Sequence, residues 1–301
     1  MRRIGVLMAG DENDPLAKAR LSAFTEVLAS LGWTDGRNVR MDLRWGGADN
    51  NQLRALAQEL VGLEPDIIVA NGIAGTAAVQ RETRTIPIVF ANVADPVAGH
   101  LVARLDRPSG NITGFAVLEA SLGGKWLELL SEIAPGLKRA AIMFNPGLPP
   151  ASVYMPLLET AARSLKIALI SAPVHSDEEI EAVITALGRE PGGGLVVLSG
   201  GLQVAQRASI ISATARNNVP AVYFRSDFAR GGGLLSYGPD QVDPFRRAAT
   251  YVDRILRGEK PGDLPVQFPT KFEMVVNRKT ATALDLAIPP SIMLRADEVI
   301  E

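Results

Sequence analysis

Three stretches combine small residues, amides and charged groups in the manner of a small-molecule site: Asn71-Gly72-Ile73-Ala74-Gly75-Thr76, Asn92-Val93-Ala94-Asp95-Pro96 and Arg225-Ser226-Asp227-Phe228. Backbone N–H groups in a small-residue loop that opens a helix can cradle an anion, and the Thr76 hydroxyl would add a donor. The same small residues also serve simply to let a helix pack closely on a sheet. Asp227 is placed to hold an ammonium group, and Asp227 or Arg225 would set the charge preference complementary to a carboxylate or carbonyl held by the 71–76 loop, although acids at helix starts also act as N-caps. For Asp95, just before Pro96, the capping role is the stronger reading. Further candidate loops carry Gly10 (Ala9 to Pro15), Asn145 (Asn145-Pro146-Gly147), Ser199 (Ser199-Gly200-Gly201) and Tyr237 (Tyr237 to Asp240). Phe115 and Tyr237 offer rings for an apolar ligand body, or equally for core and hinge packing.

Covalent chemistry finds little support. With no cysteine, disulfides, thiolate metal sites and thiol nucleophiles are excluded. The two histidines, His100 and His175, stand far apart without metal-ligand spacing. Gly124-Lys125 is followed by Trp126, and Glu119 occupies the earlier glycine position of a phosphate-binding loop. Leu234 stands where a nucleophile elbow around Ser236 needs glycine. With 31 basic against 33 acidic residues and no basic cluster, there is no footprint for a nucleic-acid backbone. Arg246, Arg247, Arg254 and Arg257 alternate with Asp243, Asp253 and Glu259 at helical spacing, which describes a solvated helix face. No apolar run reaches the roughly 20 residues of a membrane helix.

The elements that must position these loops are short buried strands alternating with helices, an α/β pattern with parallel sheets. Strands are expected at Ile4–Met8, Val39–Arg44, Asp66–Ala70, Ile86–Ala91 and Asn111–Gly114. The pattern then restarts with Arg139–Phe144, Ile167–Val174, Leu195–Leu198, Ala221–Phe224 and Gly233–Tyr237, the third and fourth of these bridged by one helix over Gln203–Asn217. Leu21, Phe24, Leu28 and Leu31 mark one helix face, and Phe245, Ala248, Ala249, Val252 and Leu256 another. Leu264-Pro265-Val266 reads as an edge or crossover segment, and Phe272–Asn277 as the last strand. The fold class is therefore α/β, two similar doubly wound parallel-sheet lobes joined by a multi-strand hinge. One lobe takes residues 1–116 with 240–268 and the other 117–239 with 269–301. A ligand cleft between the lobes is expected, with linkers near 115–118, 238–240 and 267–270.

Several short segments carry a resemblance in their order and spacing: Ile4-Gly5-Val6-Leu7, Leu31-Gly32-Trp33 with Gly36-Arg37-Asn38-Val39, Pro65-Asp66-Ile67-Ile68-Val69 and Ile86-Pro87-Ile88-Val89-Phe90. Asp95-Pro96-Val97, Asn111-Ile112-Thr113-Gly114, Asn145-Pro146 and Ile255-Leu256-Arg257-Gly258 continue it over nearly the whole chain. Through them the chain resembles the ABC transporter substrate-binding family that includes tryptophan- and tyrosine-binding lipoproteins, with the periplasmic binding protein type I fold.

The resemblance implies a monomer that closes around a small polar or amphipathic solute, amino-acid-like or an aromatic acid, and hands it to an ABC transporter permease. It implies no catalysis, no cofactor, and membrane contact only through the transporter complex. It also implies export to the periplasm, with the leader peptide absent from these 301 residues. Two departures stand out. No cysteine is available for a lipid anchor, and Ser199-Gly200-Gly201 stands where an acidic residue or asparagine is expected in binders of aromatic amino acids. From the residues alone, a sensing domain without transport and an α/β enzyme using the same cleft remain the alternatives.

Overall fold

The computed structural model describes residues 1–47, 49–108, 110–146 and 150–301, so Gly147 of the loop named above lies outside the described residues. Met1–Leu118 with Asp240–Lys271 form one compact unit, and Glu119–Pro239 with Phe272–Glu301 a second. The first unit opens with β1 (Arg2–Met8), α1 (Pro15–Ser30), β2 (Val39–Trp45), α2 (Asn50–Gly62), β3 (Ile67–Asn71), α3 (Gly72–Glu82), β4 (Ile88–Val93) and β5 (Ile112–Ala116). The second follows with α4 (Leu122–Ile133), β6 (Arg139–Phe144), α5 (Pro150–Leu165), β7 (Ala168–Pro173), α6 (Asp177–Gly188) and β8 (Gly193–Val197). It continues with α7 (Gly201–Ala205), α8 (Arg207–Arg216), β9 (Ala221–Tyr223), α9 (Ser226–Arg230) and β10 (Leu235–Pro239). The chain then returns to the first unit for α10 (Asp243–Leu256) and ends in the second with β11 (Phe272–Asn277), α11 (Arg278–Ala283), α12 (Pro290–Arg295) and β12 (Glu298–Ile300).

In the first unit the strands run parallel in the order β2-β1-β3-β4-β5. All five residues of β3 are buried, as a central parallel strand covered on both faces requires. The period-2 alternation sorts the core into two layers. Ile4, Val6, Met8, Ile67 and Val69 join Phe24 and Leu28 of α1 with Phe245, Ala248 and Val252 of α10. Leu7, Ile68 and Ala70 face Leu53, Ala57 and Leu60 of α2 and Val79 of α3. Helix α1 begins where Asp14 accepts the Leu16 N–H at 3.0 Å with Pro15 in its first turn, and stops before Gly32 at φ 96°. Because α10 completes one of the two layers, residues 240–271 belong to this unit although the chain reaches them last. The Leu264–Val266 segment forms no regular strand. It runs beside β5, with Val266 N–H on the Leu105 carbonyl at 2.7 Å and Gln267 N–H on the Gly114 carbonyl at 3.0 Å.

The second unit repeats that winding as β7-β6-β8-β9-β10 and extends it to seven strands with β11 and β12. Three details differ from the sequence reading. Strand β11 is antiparallel to β10, because the chain re-enters the sheet at the end where β10 left it, Phe272 pairing with Pro239. It is not the last strand: β12 pairs parallel to β11, three residues at the sheet edge that offer almost no pattern. The single helix expected over Gln203–Asn217 breaks at Gln206, whose φ of −94° and ψ of 19° end α7 and begin α8.

The fifth strand of each winding carries a glycine pressed against a carbonyl. A Cβ at Gly114 would sit 2.1 Å from the Phe90 oxygen, and one at Gly238 2.0 Å from the Phe224 oxygen. Among the described residues no helix is long and apolar enough to cross a membrane.

Candidate functional site

In sheets of this winding a crevice opens at the carboxyl ends of the two strands where the direction of winding reverses. In the first unit these are β1 and β3, and Asn71 joins them. It ends β3, is 5% exposed and stands at the N-cap of α3, yet makes no side-chain cap bond. Its amide Nδ2 donates instead to the Ala9 carbonyl beyond β1, at 2.9 Å. The first-turn N–H groups of α3 are thereby left without a side-chain acceptor at the positive end of the helix. Gly72 turns the chain into α3 at φ 69°, and Gly10 (φ 119°) donates its N–H to the Gly47 carbonyl at 2.9 Å.

The other α3 candidates divide. Thr76 is fully buried and its hydroxyl donates to the Gly72 carbonyl one turn back, at 2.6 Å. Gly75 is buried too, whereas Ala74 is exposed and lines a groove of about 220 Å³ between α2 and α3 with Arg54 and Arg81.

At the end of β4, Asn92 adopts φ 57° and donates Nδ2 to the Gln241 carbonyl at 3.2 Å. Its Oδ1 is buried with no partner among the described residues. Arg20 reaches the same Gln241, its Nε to the carbonyl at 3.1 Å and an Nη to Oε1 at 3.0 Å. Asp95 is a turn former, its Oδ1 accepting the N–H groups of Val97 and Ala98 at 2.9 Å. Phe115 is a core residue, 1% exposed. Its ring lies 4.7 Å from that of Tyr251, with the Arg247 guanidinium 4.9 Å from its centroid.

In the second unit the charged candidates converge at the end of β9. Asp227 accepts from Arg225 Nε on Oδ1 at 2.8 Å, and on Oδ2 from both Arg225 and Arg207. Burial pushes the Asp227 carboxyl up, but the two guanidiniums outweigh it and hold the group below the ordinary carboxylate range. Asp227 is thus engaged on both oxygens, and the cluster of two arginines and one aspartate keeps one positive charge in excess.

One turn before Arg207 lies Gln203, wholly buried, with neither Nε2 nor Oε1 partnered among the described residues. A buried amide in that condition costs about 1–3 kcal/mol. Ser199 is half-buried on the turn from β8 into α7, where the Gly200 carbonyl accepts the Val204 N–H at 3.1 Å. Asn145 is half-buried after β6 and is itself engaged by a neighbour. Tyr237 lies in β10, its ring stacked on Phe272 at 5.9 Å and its carbonyl accepting Trp126 Nε1 at 2.6 Å. The Ser236 Oγ beside it is buried without a partner among the described residues. Among the described residues no group of three or more histidines or acids is disposed to hold a metal.

The structure therefore gathers Gly10, Asn71, Ala74 and Gly75 at the head of one sheet, and Ser199, Arg225 and Asp227 at the head of the other. Phe115 and the Thr76 hydroxyl face inward. Gln203, Arg207 and Ser236 went unnominated from the sequence, and Asn92 lay in a nominated stretch without being singled out as a ligand-binding residue. For Asn92 the signal was present, an asparagine directly after a buried strand, where a positive φ is tolerated. Nothing in the local sequence of Arg207 announces a partner twenty residues on.

A sequence profile of the family described as ABC transporter substrate binding protein matches residues 8–300. The chain is 25% identical over 275 residues to the tyrosine-binding protein of Clostridioides difficile (strain R20291), covering 91% of this chain and 79% of that one. Among solved structures, it is similar to the ABC domain of Streptococcus pneumonia in complex with L-Trp, with a TM-score of 0.86, 22% identity and 99% of each chain covered. A ligand-free, open substrate-binding protein with adhesive properties from Clostridium difficile gives a TM-score of 0.82 at 23% identity, over 100% of this chain and 99% of that one.

Proposed function

The chain belongs to the ABC transporter substrate-binding protein family, a family of solute-binding proteins rather than enzymes, and we propose that it captures an amino-acid-like or aromatic acid solute and delivers it to an importer permease. Family members work outside the cytoplasm; the periplasm is the compartment proposed for this one. Two relatives frame the solute class: one is a tyrosine-binding protein, and another was solved with L-Trp.

The observation that carries the reading is the set of buried polar groups without partners among the described residues near the heads of the strands, the Asn92 Oδ1 in one unit and both ends of the Gln203 amide in the other. Buried polar groups are almost always paired, so such groups support a reading in which a polar solute completes them. In the first unit, the uncapped N–H groups of α3 are suited to a carboxylate or carbonyl oxygen. Each unit then holds part of the solute. Only a closed arrangement gains both sets of contacts, and binding draws the population toward closure. Moving an open–closed balance from 1:99 to 99:1 takes about 5.5 kcal/mol of differential affinity, the scale of a few charge-assisted hydrogen bonds.

A thermal-shift panel of amino acids, aromatic acids, small amides, purines and sugars tests this. A ligand that binds only the folded protein raises the melting temperature by mass action. The expected result is a shift with an amino-acid-like or aromatic acid that is recovered unmodified. A panel without a shift, or one answered only by sugars or purines, refutes the proposed solute class.

A further inference from the structure

The charges at the head of the second sheet are arranged for one sign of ligand. Asp227 is the acid a solute ammonium would need, but Arg225 takes both of its oxygens and Arg207 shares one of them. An ammonium approaching Asp227 would meet two guanidiniums at close range and a net positive charge. Arg225 is the more enclosed of the two, with its side chain 15% exposed, whereas that of Arg207 is 42% exposed and retains N–H groups beyond the one given to Asp227. Gln203 is the independent observation: a wholly buried amide, one turn before Arg207, with no partner for its N–H₂ among the described residues. The strands that launch these residues, β8 and β9, are paired neighbours, and the break at Gln206 starts α8 with the arginine that reaches Asp227.

We propose that the head of β8 and β9 is an anion subsite, in which Arg207 and the Gln203 amide hold a carboxylate of the solute. Asp227 is the tether that orients Arg207 and Arg225, not the counter-ion of an ammonium. This rests on the solute-binding reading above and narrows its ligand class: the solute is an acid whose recognition by this unit needs no amino group. A guanidinium and a neutral amide four residues before it in the chain suit a carboxylate, which accepts from both.

The experiment is a calorimetric titration of the whole protein with three matched compounds: L-tyrosine, which carries both charged groups, 3-(4-hydroxyphenyl)propanoate, which keeps only the carboxylate, and tyramine, which keeps only the ammonium. The propanoate is expected to bind at least as tightly as tyrosine, and tyramine not measurably. Arg207→Gln should weaken the propanoate about tenfold or more, the loss of a hydrogen bond to a charged group, with Arg207→Lys recovering part of it. Thermal melts of both variants establish that they fold. Tyramine binding while the propanoate does not would overturn the anion subsite and leave the solute-binding reading intact. Unchanged propanoate affinity in a folded Arg207→Gln variant would do the same. Binding by none of the three would remove the aromatic amino-acid-like solute class, and the subsite with it.

Discussion

The two units share a winding and differ in what they set at its head. In the first, the strand ends present amides and helix N–H groups: Asn71 is spent on the Ala9 carbonyl, α3 is left uncapped, and Asn92 and Arg20 meet at Gln241. In the second, the corresponding edge carries Arg207, Asp227 and Arg225, and four residues before Arg207 stands Gln203, whose amide has no partner among the described residues. Duplicating a framework thus leaves the chemistry of each copy free to diverge, because the winding constrains where the strand ends lie and not which side chains stand there. The copies also differ in how they are finished. The first is closed by a helix borrowed from late in the chain, whereas the second is extended by an antiparallel strand and its short parallel neighbour.

The largest test of that contrast concerns the borrowed helix. Phe245 is fully buried among Phe24, Leu28 and Val69. Phe245→Ala should cost about 3–5 kcal/mol, confined to the first unit. Denaturant unfolding followed separately by the tryptophans of the first unit, Trp33 and Trp45, and by Trp126 of the second should show only the first-unit transition shift. A common shift would mean that the units unfold as one.

Next come the paired glycines. Gly114→Ala and Gly238→Ala both force a methyl group onto a carbonyl, so each should cost about 1–3 kcal/mol or more through overpacking. Comparable losses in melting temperature would support equivalent roles for the two fifth strands. A silent substitution at either position would separate them.

Gln203→Leu should do something different, stabilising the ligand-free protein by about 1 kcal/mol while abolishing the solute-induced thermal shift, because it removes an unpaired buried amide. A destabilised variant would show that the amide has a structural partner after all.

The smallest effect expected is in acid. The Asp227 carboxyl titrates below its ordinary 3.8 in the folded protein, so its contribution to stability is present above that value and is lost as pH falls through the lower folded one. Asp227→Asn should flatten the fall in stability below about pH 4, read from melts across that range. An unchanged slope would assign acid sensitivity to other carboxylates held below their ordinary range, Asp42, Asp66, Asp240 and Glu132 among them.

Much of the framework was legible because buried parallel strands are short apolar runs: Arg139–Phe144 matches β6 at both ends, and β1 differs only by two residues at its start. Strand β12 was not, because three half-buried residues at an edge carry no periodicity. Nor was the break at Gln206, a residue that helix propensity alone would place inside a helix. At the site, the loops after strands could be nominated from topology, and Asn71 among them proved to join β1 to β3. The sign of the second unit's charge could not, since Asp227 read alone suggests an ammonium partner. Arg207 cancels it only because the segments that follow the paired strands β8 and β9 bring the two side chains together.

The placement of α10 has a consequence for the newborn chain. When Leu118 leaves the ribosome, the first sheet has all five strands but lacks Phe245, Tyr251 and Val252 over one face, and Glu119–Pro239 must be synthesised before they arrive. At about 5–20 residues per second that delay is on the order of ten seconds. Through it the earlier-made half stays uncovered, with a sticky apolar layer accessible to holding chaperones, while the middle of the chain can already wind its own five strands. The first half is still the first to be completed, at Lys271, since β11 and β12 of the second are synthesised last, but it is completed only after that delay.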